Sequence, residues 1–526
     1  MKRYIFPLLI LFSSCSKNWV DTKPYGNPST AYLWSDSADA IKGTAALYDA
    51  MQNESTFGRD LFWMQNASDD FIVGRPKPNA ENIKNFVCTG HEGYMAQGWS
   101  DMYTMLNVAN EAVVGLKSAS NLTASLRNRS LGEAYFMRGF WHFWIAYLWG
   151  EKSQGVPYDS AENVQYGKRI APQQPSVTAN YSIIAADLQR AIDLLPLFQS
   201  YGSADQGRAH RAAAIGYLIK TYAYWAQYDN TKWALIPPLV DRLRDECGRA
   251  LITSQATPAK NYKAVFSIAG NWSSEYIWSV TSSYLGGSEF MGVVLENTGW
   301  GLYNGWGYFQ PTEELYEEYE AGDPRRALTI LNFGDTFTYF GQQRQYYSTN
   351  SLSGFQLNKY MEPYSYGANG DASTNPDINQ NGNYPTTALN LPLMRYAEML
   401  LFKAEALIQM GQNAAAAEPL NEVRTRVGLA PKSNPTMADL KHERRCELAG
   451  EWTDRFMDLK RWGDYANIDM PLHGRIHANK TDPNSTYTIQ QVWKARNFDP
   501  NRDMAWPINP DEISRSNGVY KQTPNW

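Results

Sequence analysis

The sequence predicts a mainly α fold: a tetratricopeptide-like scaffold of paired helices bearing a loop-rich cap with short strands. Three observations predict it. Helical periodicity dominates residues 37–250 and 394–463. Within those stretches, three segments repeat one design, mixing small and bulky side chains at helical spacing. The intervening residues 251–393, dense in Gly, Asn, Ser, Tyr and Trp, and the irregular residues 464–526 hold no long regular pattern.

The elements follow in chain order. "MKRYIFPLLILFSSCS" places Lys2 and Arg3 before an apolar run from Tyr4 to Phe12, then small residues and Cys15. That is the pattern of a secretory signal peptide over residues 1–14, too short to span a bilayer, which takes roughly 20 apolar residues. Residues 15–36, rich in Pro, Gly, Ser and Asn, read as a tether. The remaining 37–526 form one unit. "DSADAIKGTAALYDAMQ" and "GWSDMYTMLNVANEAVVGLK" each gather apolar residues on one helical face.

The repeated design appears in "EAYFMRGFWHFWIAYLWG" (133–150), "AAAIGYLIKTYAYWAQYD" (212–229) and "AEMLLFKAEALIQMGQNA" (397–414). Small residues let helices approach closely, and large ones fill the neighbouring groove. "YSIIAADLQRAIDLLP" and "AAAEPLNEVRTRVG" supply partner helices. Spacing between repeats is irregular, so insertions separate them. In the largest, "EYIWSVT" reads as a short strand. "ERRCELAGEWTDRFMDLKRWG" (443–463) reads as one charge-rich helix, with Glu443, Glu447, Glu451 and Arg455 in an i, i+4 row. Such rows, together with Arg395, Glu405, Arg424 and Arg426, are expected to form ion pairs that hold helices together.

Composition narrows the function. Hydrophobic residues make up 43% and charged residues 19%, which is globular. A net charge of −5 offers no basic field for nucleic acid. Aromatics reach 14%, with 18 Trp and 34 Tyr, and such side chains pair a flat apolar face with a polar edge. Cys88, Cys247 and Cys446 are far apart and form no C-x-x-C, so neither a disulfide framework nor a zinc site is expected.

Catalytic patterns are sparse. No glutamate in an H-E-x-x-H pattern links His473 to His477, and the nucleophile-elbow and phosphate-loop motifs are absent. The adjacent pair Asp69–Asp70 cannot easily face itself across a sugar, so a glycosidase is disfavoured. "DINQNGN" (377–383) matches half a calcium loop, but Ala388 stands where the twelfth-position acid belongs, so a polar turn is expected. No cofactor and no metal are expected.

The ending "LFSSC" resembles a bacterial lipobox, which implies lipid attachment at Cys15. "MRYAEMLLFKAEALIQMGQNAAAAEPLNEVRTRVGL", "ERRCELAGEWTDRFMDLKRWG" and the ending "AWPINPDEISRSNGVYKQTPNW" resemble the SusD/RagB family, as do "EAYFMRGFWHFWIAYLWGEKSQGVPY" and "GWSDMYTMLNVANEAV". Members are nutrient-capturing surface lipoproteins of Bacteroidetes. The resemblance implies four tetratricopeptide-like helix pairs, an outer-membrane address at the cell surface through a lipid anchor, and a SusC-like TonB-dependent barrel as partner. Two features depart from the family: "SKNWVDTKP" lacks an acidic cluster behind Cys15, and the chain ends "KQTPNW".

"GWGLYNGWGYF" answers why a glycine-broken loop carries so many rings. Sugars present C–H faces that a flat ring can stack beneath, and hydroxyls that Asn, Asp or Arg can bond. Trp300, Tyr303, Trp306 and Tyr308 are therefore the first candidate ligand contacts, in a stretch preceding a segment that resembles the family's. Trp99, expected to open the helix matching a W-x3-Y element, comes next. Asn66, Asp69 and Asp70 lie in a polar turn matching a family loop that can reach ligand. The expected function is non-catalytic capture of oligosaccharide, a neutral glycan favoured, for delivery to the barrel. The alternative is a RagB-like peptide-capture lipoprotein.

Overall fold

A computed structural model describes residues 34–65, 67–160, 170–282, 307–339, 342–347, 351–361, 388–452 and 455–526. Cys15, Asn66, Trp300, Tyr303, Trp306 and the 377–383 turn lie outside the described residues, as does all but the end of the expected tether.

The scaffold helices, numbered in chain order, are α1 (Gly93–Lys117), α2 (Ala124–Trp149), α3 (Val177–Leu194), α4 (Arg211–Trp225), α5 (Ile236–Asp245), α6 (Tyr396–Gln409), α7 (Asn413–Arg426), α8 (Met437–Leu448) and α9 (Arg455–Trp462). Consecutive members pack together from α1 through α5, while α6 packs on α4, α5, α7 and α8. This stacking of neighbours is the helical-repeat scaffold the pattern predicts.

α2 is the central helix. From Glu133 to Trp149 every side chain is buried, and helices apolar all round belong inside. Thr123 caps it by accepting a bond from the Leu126 N–H, and Ser176 caps α3 by accepting from Ala179. The small-against-large logic holds at Gly139: a Cβ there would lie 3.2 Å from the Leu188 side chain of α3. Arg138 ties the same pair of helices through a two-pronged contact with Asp187, at 2.6 and 2.7 Å.

Short strands pair antiparallel, two of the pairs joining distant parts of the chain and one closing a local hairpin. Tyr276–Val280 pairs antiparallel with Leu391–Arg395, closing the ends of the large insertion onto one another. Phe71–Val73 pairs with Phe309–Pro311, and Leu472–His477 with Tyr487–Trp493. No helix among the described residues is long and apolar enough to cross a membrane.

Two expectations are corrected. The run 443–463 is not one helix: α8 stops at Leu448 and α9 starts at Arg455. Gly450 makes the break with φ +76°, in the left-handed region that favours glycine. α1 begins at Gly93 rather than at Trp99, because the Glu92 carboxylate accepts the Thr89 and Gly90 N–H groups and closes the turn before it.

The charged row nonetheless makes the expected ion pairs, and they lie in the core. Glu447 meets Arg325 at 3.0 Å, Arg395 at 3.1 Å and also Arg426. Glu451 meets Lys359 at 2.9 Å and Arg395 at 2.6 Å, while Glu443 meets Arg325 at 2.6 Å and Arg424 at 2.8 Å. All of these residues are buried. Arg461 reaches Glu405 at 2.7 Å and joins α9 to α6.

Candidate functional site

The chain re-enters the described structure at Gly307, directly after the Trp- and Tyr-rich stretch, and runs into the strand Phe309–Pro311. That strand is fixed by its ladder with Phe71–Val73, by the Gly74 N–H donating to the Tyr308 carbonyl at 2.8 Å, and by Thr312 Oγ1 donating to the Asp69 carbonyl at 2.8 Å. The strand that follows the aromatic stretch is therefore fixed to the scaffold by the 67–74 segment.

Around the anchor the structure gathers an aromatic and cationic cluster. The Trp63 ring lies 5.7 Å from Tyr308 and 4.1 Å from Phe309, and it stacks on Tyr94 at 6.3 Å with an interplanar angle of 7°. Arg75 and Lys77 approach the Tyr308 ring at 5.7 and 4.9 Å, and Arg59 approaches Tyr94 at 5.6 Å. Arg75 is exposed, while Tyr94, Arg59 and Lys77 are half-buried. Burial and the nearby Lys77 and Arg59 charges act oppositely on the Tyr94 hydroxyl; burial wins and its pKa rises, so it stays a neutral donor. The Trp63 indole N–H is buried without a hydrogen-bond partner. Trp63 and Tyr308 are each only 5% exposed, so among the described rings of this cluster Tyr94 alone shows part of its face, and the cluster is the buried footing on which the strand Phe309–Pro311 sits.

The sequence-derived residues part company here. Tyr308 belongs to this cluster, although it is only 5% exposed. Trp99 does not: it is buried in α1, edge-on to Trp149 at 5.2 Å and against Tyr103 at 4.6 Å, where it has no open face. Asp69 and Asp70 do not present carboxylates to a ligand either. Asp69 meets Arg455 at 2.8 Å and Arg445 at 3.1 Å, and Asp70 meets Arg445 at 2.8 Å, all of them buried or nearly so. Burial opposes ionisation of both. For Asp69 the two guanidinium groups outweigh it and hold the carboxyl well below its ordinary range. For Asp70 burial and the Asp69 charge prevail and push its pKa up. The pair serves to lock the 67–73 turn onto α8 and α9.

Trp63, Tyr94, Arg75 and Lys77 escaped the sequence reading. Trp63 sits in an apolar run and Tyr94 in a helix start, where rings read as core; only their meeting with residue 308 gives them a site. A separate cleft of about 300 Å³ opens between α1 and the helix Pro510–Arg515, lined by Tyr103, Tyr158, Arg515 and Tyr520. None of the expected site residues lines it.

Comparison with known proteins agrees with the architecture. The family model described as "SusD family" matches residues 274–526, and that described as "Starch-binding associating with outer membrane" matches residues 18–223. SusD-like protein P2 of Formosa agariphila is 24% identical over the full length of both chains. Among solved structures, a SusD-like protein from Bacteroides fragilis aligns with a TM-score of 0.77 at 22% identity, covering 94% of this chain and 98% of that one. The surface glycan-binding protein A of Bacteroides thetaiotaomicron, solved with laminarihexaose, aligns with a TM-score of 0.68 at 20% identity, covering 93% and 99%. With both halves of the sequence matched and the helical scaffold shared from end to end, the chain belongs to the SusD/RagB family.

Proposed function

We propose that this protein is a non-catalytic surface lipoprotein that captures oligosaccharides and passes them to a TonB-dependent outer-membrane barrel. The observation that carries the reading is the cluster of Trp63, Tyr94 and Tyr308 with Arg59, Arg75 and Lys77, set where the segment bearing Trp300, Tyr303 and Trp306 joins the scaffold. The buried cluster holds the base of that segment, whose own rings would supply stacking faces for sugar C–H groups, while the exposed Arg75 and half-buried Lys77 and Tyr94 beside it supply donors for hydroxyls. The laminarihexaose complex of a relative and the outer-membrane description of the matched family support the same reading. The anchor is the lipid on Cys15, which holds the chain on the membrane without crossing it. Arg75 and Lys77 beside Tyr308 also favour a second reading, in which the captured glycan carries acidic groups.

The test is a tryptophan-fluorescence titration of the protein with neutral oligosaccharides, acidic oligosaccharides and mixed peptides. Saturable quenching by a glycan is expected, weakened at least tenfold in Trp300→Ala and Trp306→Ala. Tyr520→Ala, in the separate cleft, is expected to bind as the parent does. A response to peptides alone, or one unchanged in both tryptophan variants, overturns the assignment.

A further inference from the structure

The hairpin of Leu472–His477 and Tyr487–Trp493 has one closed edge and one open edge. Its ladder alternates. The Ala478 N–H donates to the Thr486 carbonyl at 3.0 Å, which makes that couple hydrogen-bonded. Tyr487–His477, Ile489–Arg475 and Gln491–His473 are then the non-bonded couples, and their backbone groups point out of the hairpin. On the first strand the outward groups are taken up: the Arg475 N–H donates to the Ser353 carbonyl at 2.8 Å, and the His473 N–H to Glu314 Oε2 at 3.1 Å. On the second strand no described residue bonds the backbone of Tyr487, Ile489 or Gln491. Residues 487–491 are all exposed, Ile489 at 57% and Tyr487 at 48%.

Open edges pair with other strands unless a charge, a proline or a bulge blunts them. Here no charged residue occurs from Pro483 to Trp493, and the register shift falls only after Gln491, so Tyr487–Gln491 is regular and centred on Ile489. We propose that this edge is a self-association surface: two copies of the chain pair antiparallel through Tyr487–Gln491, about a two-fold axis at Ile489, and extend the two hairpins into one four-stranded sheet. Ile489 then faces Ile489, and Tyr487 faces Gln491 at either end, each couple exchanging both of its outward backbone bonds. The side chains brought together are uncharged, and their charged neighbours on the same face are already paired. Arg475 meets Glu313 at 2.5 Å and Glu317 at 2.8 Å, and His473 Nδ1 lies 2.6 Å from Glu314. The nearest charges along the chain are the exposed Asp482 before the strand and the exposed Lys494 after it. Antiparallel pairing sets the Asp482 end of one copy beside the Lys494 end of the other. A foreign strand gains the same backbone bonds, but a second copy carries this match at both ends.

An interface of one strand from each copy is small against the roughly 1,200–2,000 Å² of standard interfaces, so the pair forms at high protein concentration. The test is sedimentation equilibrium of the full-length chain in density-matched detergent, with micelles in excess, over about a hundredfold range of concentration. The mass is expected to climb from the monomer toward twice that value. Ile489→Lys and Ile489→Glu, at an exposed position where neither disturbs the core, are each expected to stay monomeric, because like charges then sit directly opposite. Their equimolar mixture is expected to regain the dimer, since the two-fold sets residue 489 against itself. Hydrogen exchange gives a second readout without substitution. The Ile489 and Gln491 amides are expected to slow as concentration rises, and the Thr488 and Gln490 amides, bonded within the hairpin, to stay constant. A monomer at every concentration, a dimer that survives both substitutions, or a mixture that stays monomeric overturns the proposal. So does slowing of the same amides by added mixed peptides while the chain remains monomeric, which would give the edge to peptide instead.

Discussion

His142 lies wholly buried in α2, where the Asn180 side-chain amide approaches its Nε2 at 2.8 Å and the Tyr158 ring stacks on it at 4.3 Å. Burial, reinforced by the nearby Arg138 charge, lowers its pKa to about 3, well below the ordinary value near 6.5. His210 is lowered to about 3 as well, by burial and then Arg249. The sign follows from the proton count. Between these values the unfolded chain carries the imidazole proton and the folded chain does not, so acid favours unfolding. The stability from neutral burial is complete above about pH 6.5 and drains away as the pH falls toward 3, at up to about 1.4 kcal/mol per pH unit for each histidine. His142→Gln keeps an acceptor for Asn180 and removes the titration. Its urea midpoint is expected to fall less steeply than the parent's from pH 7 to pH 5; parallel slopes would refute the assignment. Residue-level roles like this one were poorly legible in sequence. Asp69 and Asp70 read as a polar turn because Arg455 and Arg445, which bury them, lie 386 and 375 residues downstream.

Helices were the most legible elements, since 3.6-residue periodicity is local: α3, α6 and α7 bury a face that the pattern displays, and α2 and α4, with small and bulky residues mixed all round, are buried on nearly every side. Their ends were less so. The i, i+4 row through Glu443, Glu447 and Glu451 conceals the stop at Leu448, because the carboxylates serve buried arginines from either side of the break. The decisive residue is Gly450. A Cβ there would meet Leu357 Cδ1 at 2.7 Å, and its φ of +76° costs any other residue roughly 1–2 kcal/mol. Gly463 has a similar φ of +73° but open space around it. Gly450→Ala is therefore expected to lose about 2–3 kcal/mol in denaturant unfolding, and Gly463→Ala only about 1. Equal losses at the two positions would show that the turn, and not its packing on Leu357, sets the cost.

At the scale of the whole molecule, one buried ion network joins parts of the chain that the sequence reading assigned to different regions. Arg325 and Lys359 come from the cap, Arg395 and Arg426 from the second scaffold stretch, and all four converge on Glu443, Glu447 and Glu451, while Glu275 of the cap pairs with Arg395 and Arg426. The ion pairs were legible as a class from residue types. Their convergence was not, since it depends on the strand Leu391–Arg395 meeting Tyr276–Val280 across the insertion. Glu447 is the hub. Burial disfavours its charge, yet Arg426, Arg395 and Arg325 hold its pKa far below the ordinary glutamate value, so it is ionised at every working pH. Removing one partner from a buried pair strands the others, at about 3–5 kcal/mol. Glu447→Gln preserves shape and deletes only the charge, so three guanidinium groups lose their shared counter-ion. We expect a loss of about 3 kcal/mol or more, with tryptophan fluorescence and helical circular dichroism still moving together in one transition. Because the network spans cap and scaffold, neither is expected to melt alone. A variant in which fluorescence changes first while helicity persists would show the cap coming away separately, and would demote the network from a whole-molecule tie to a local contact.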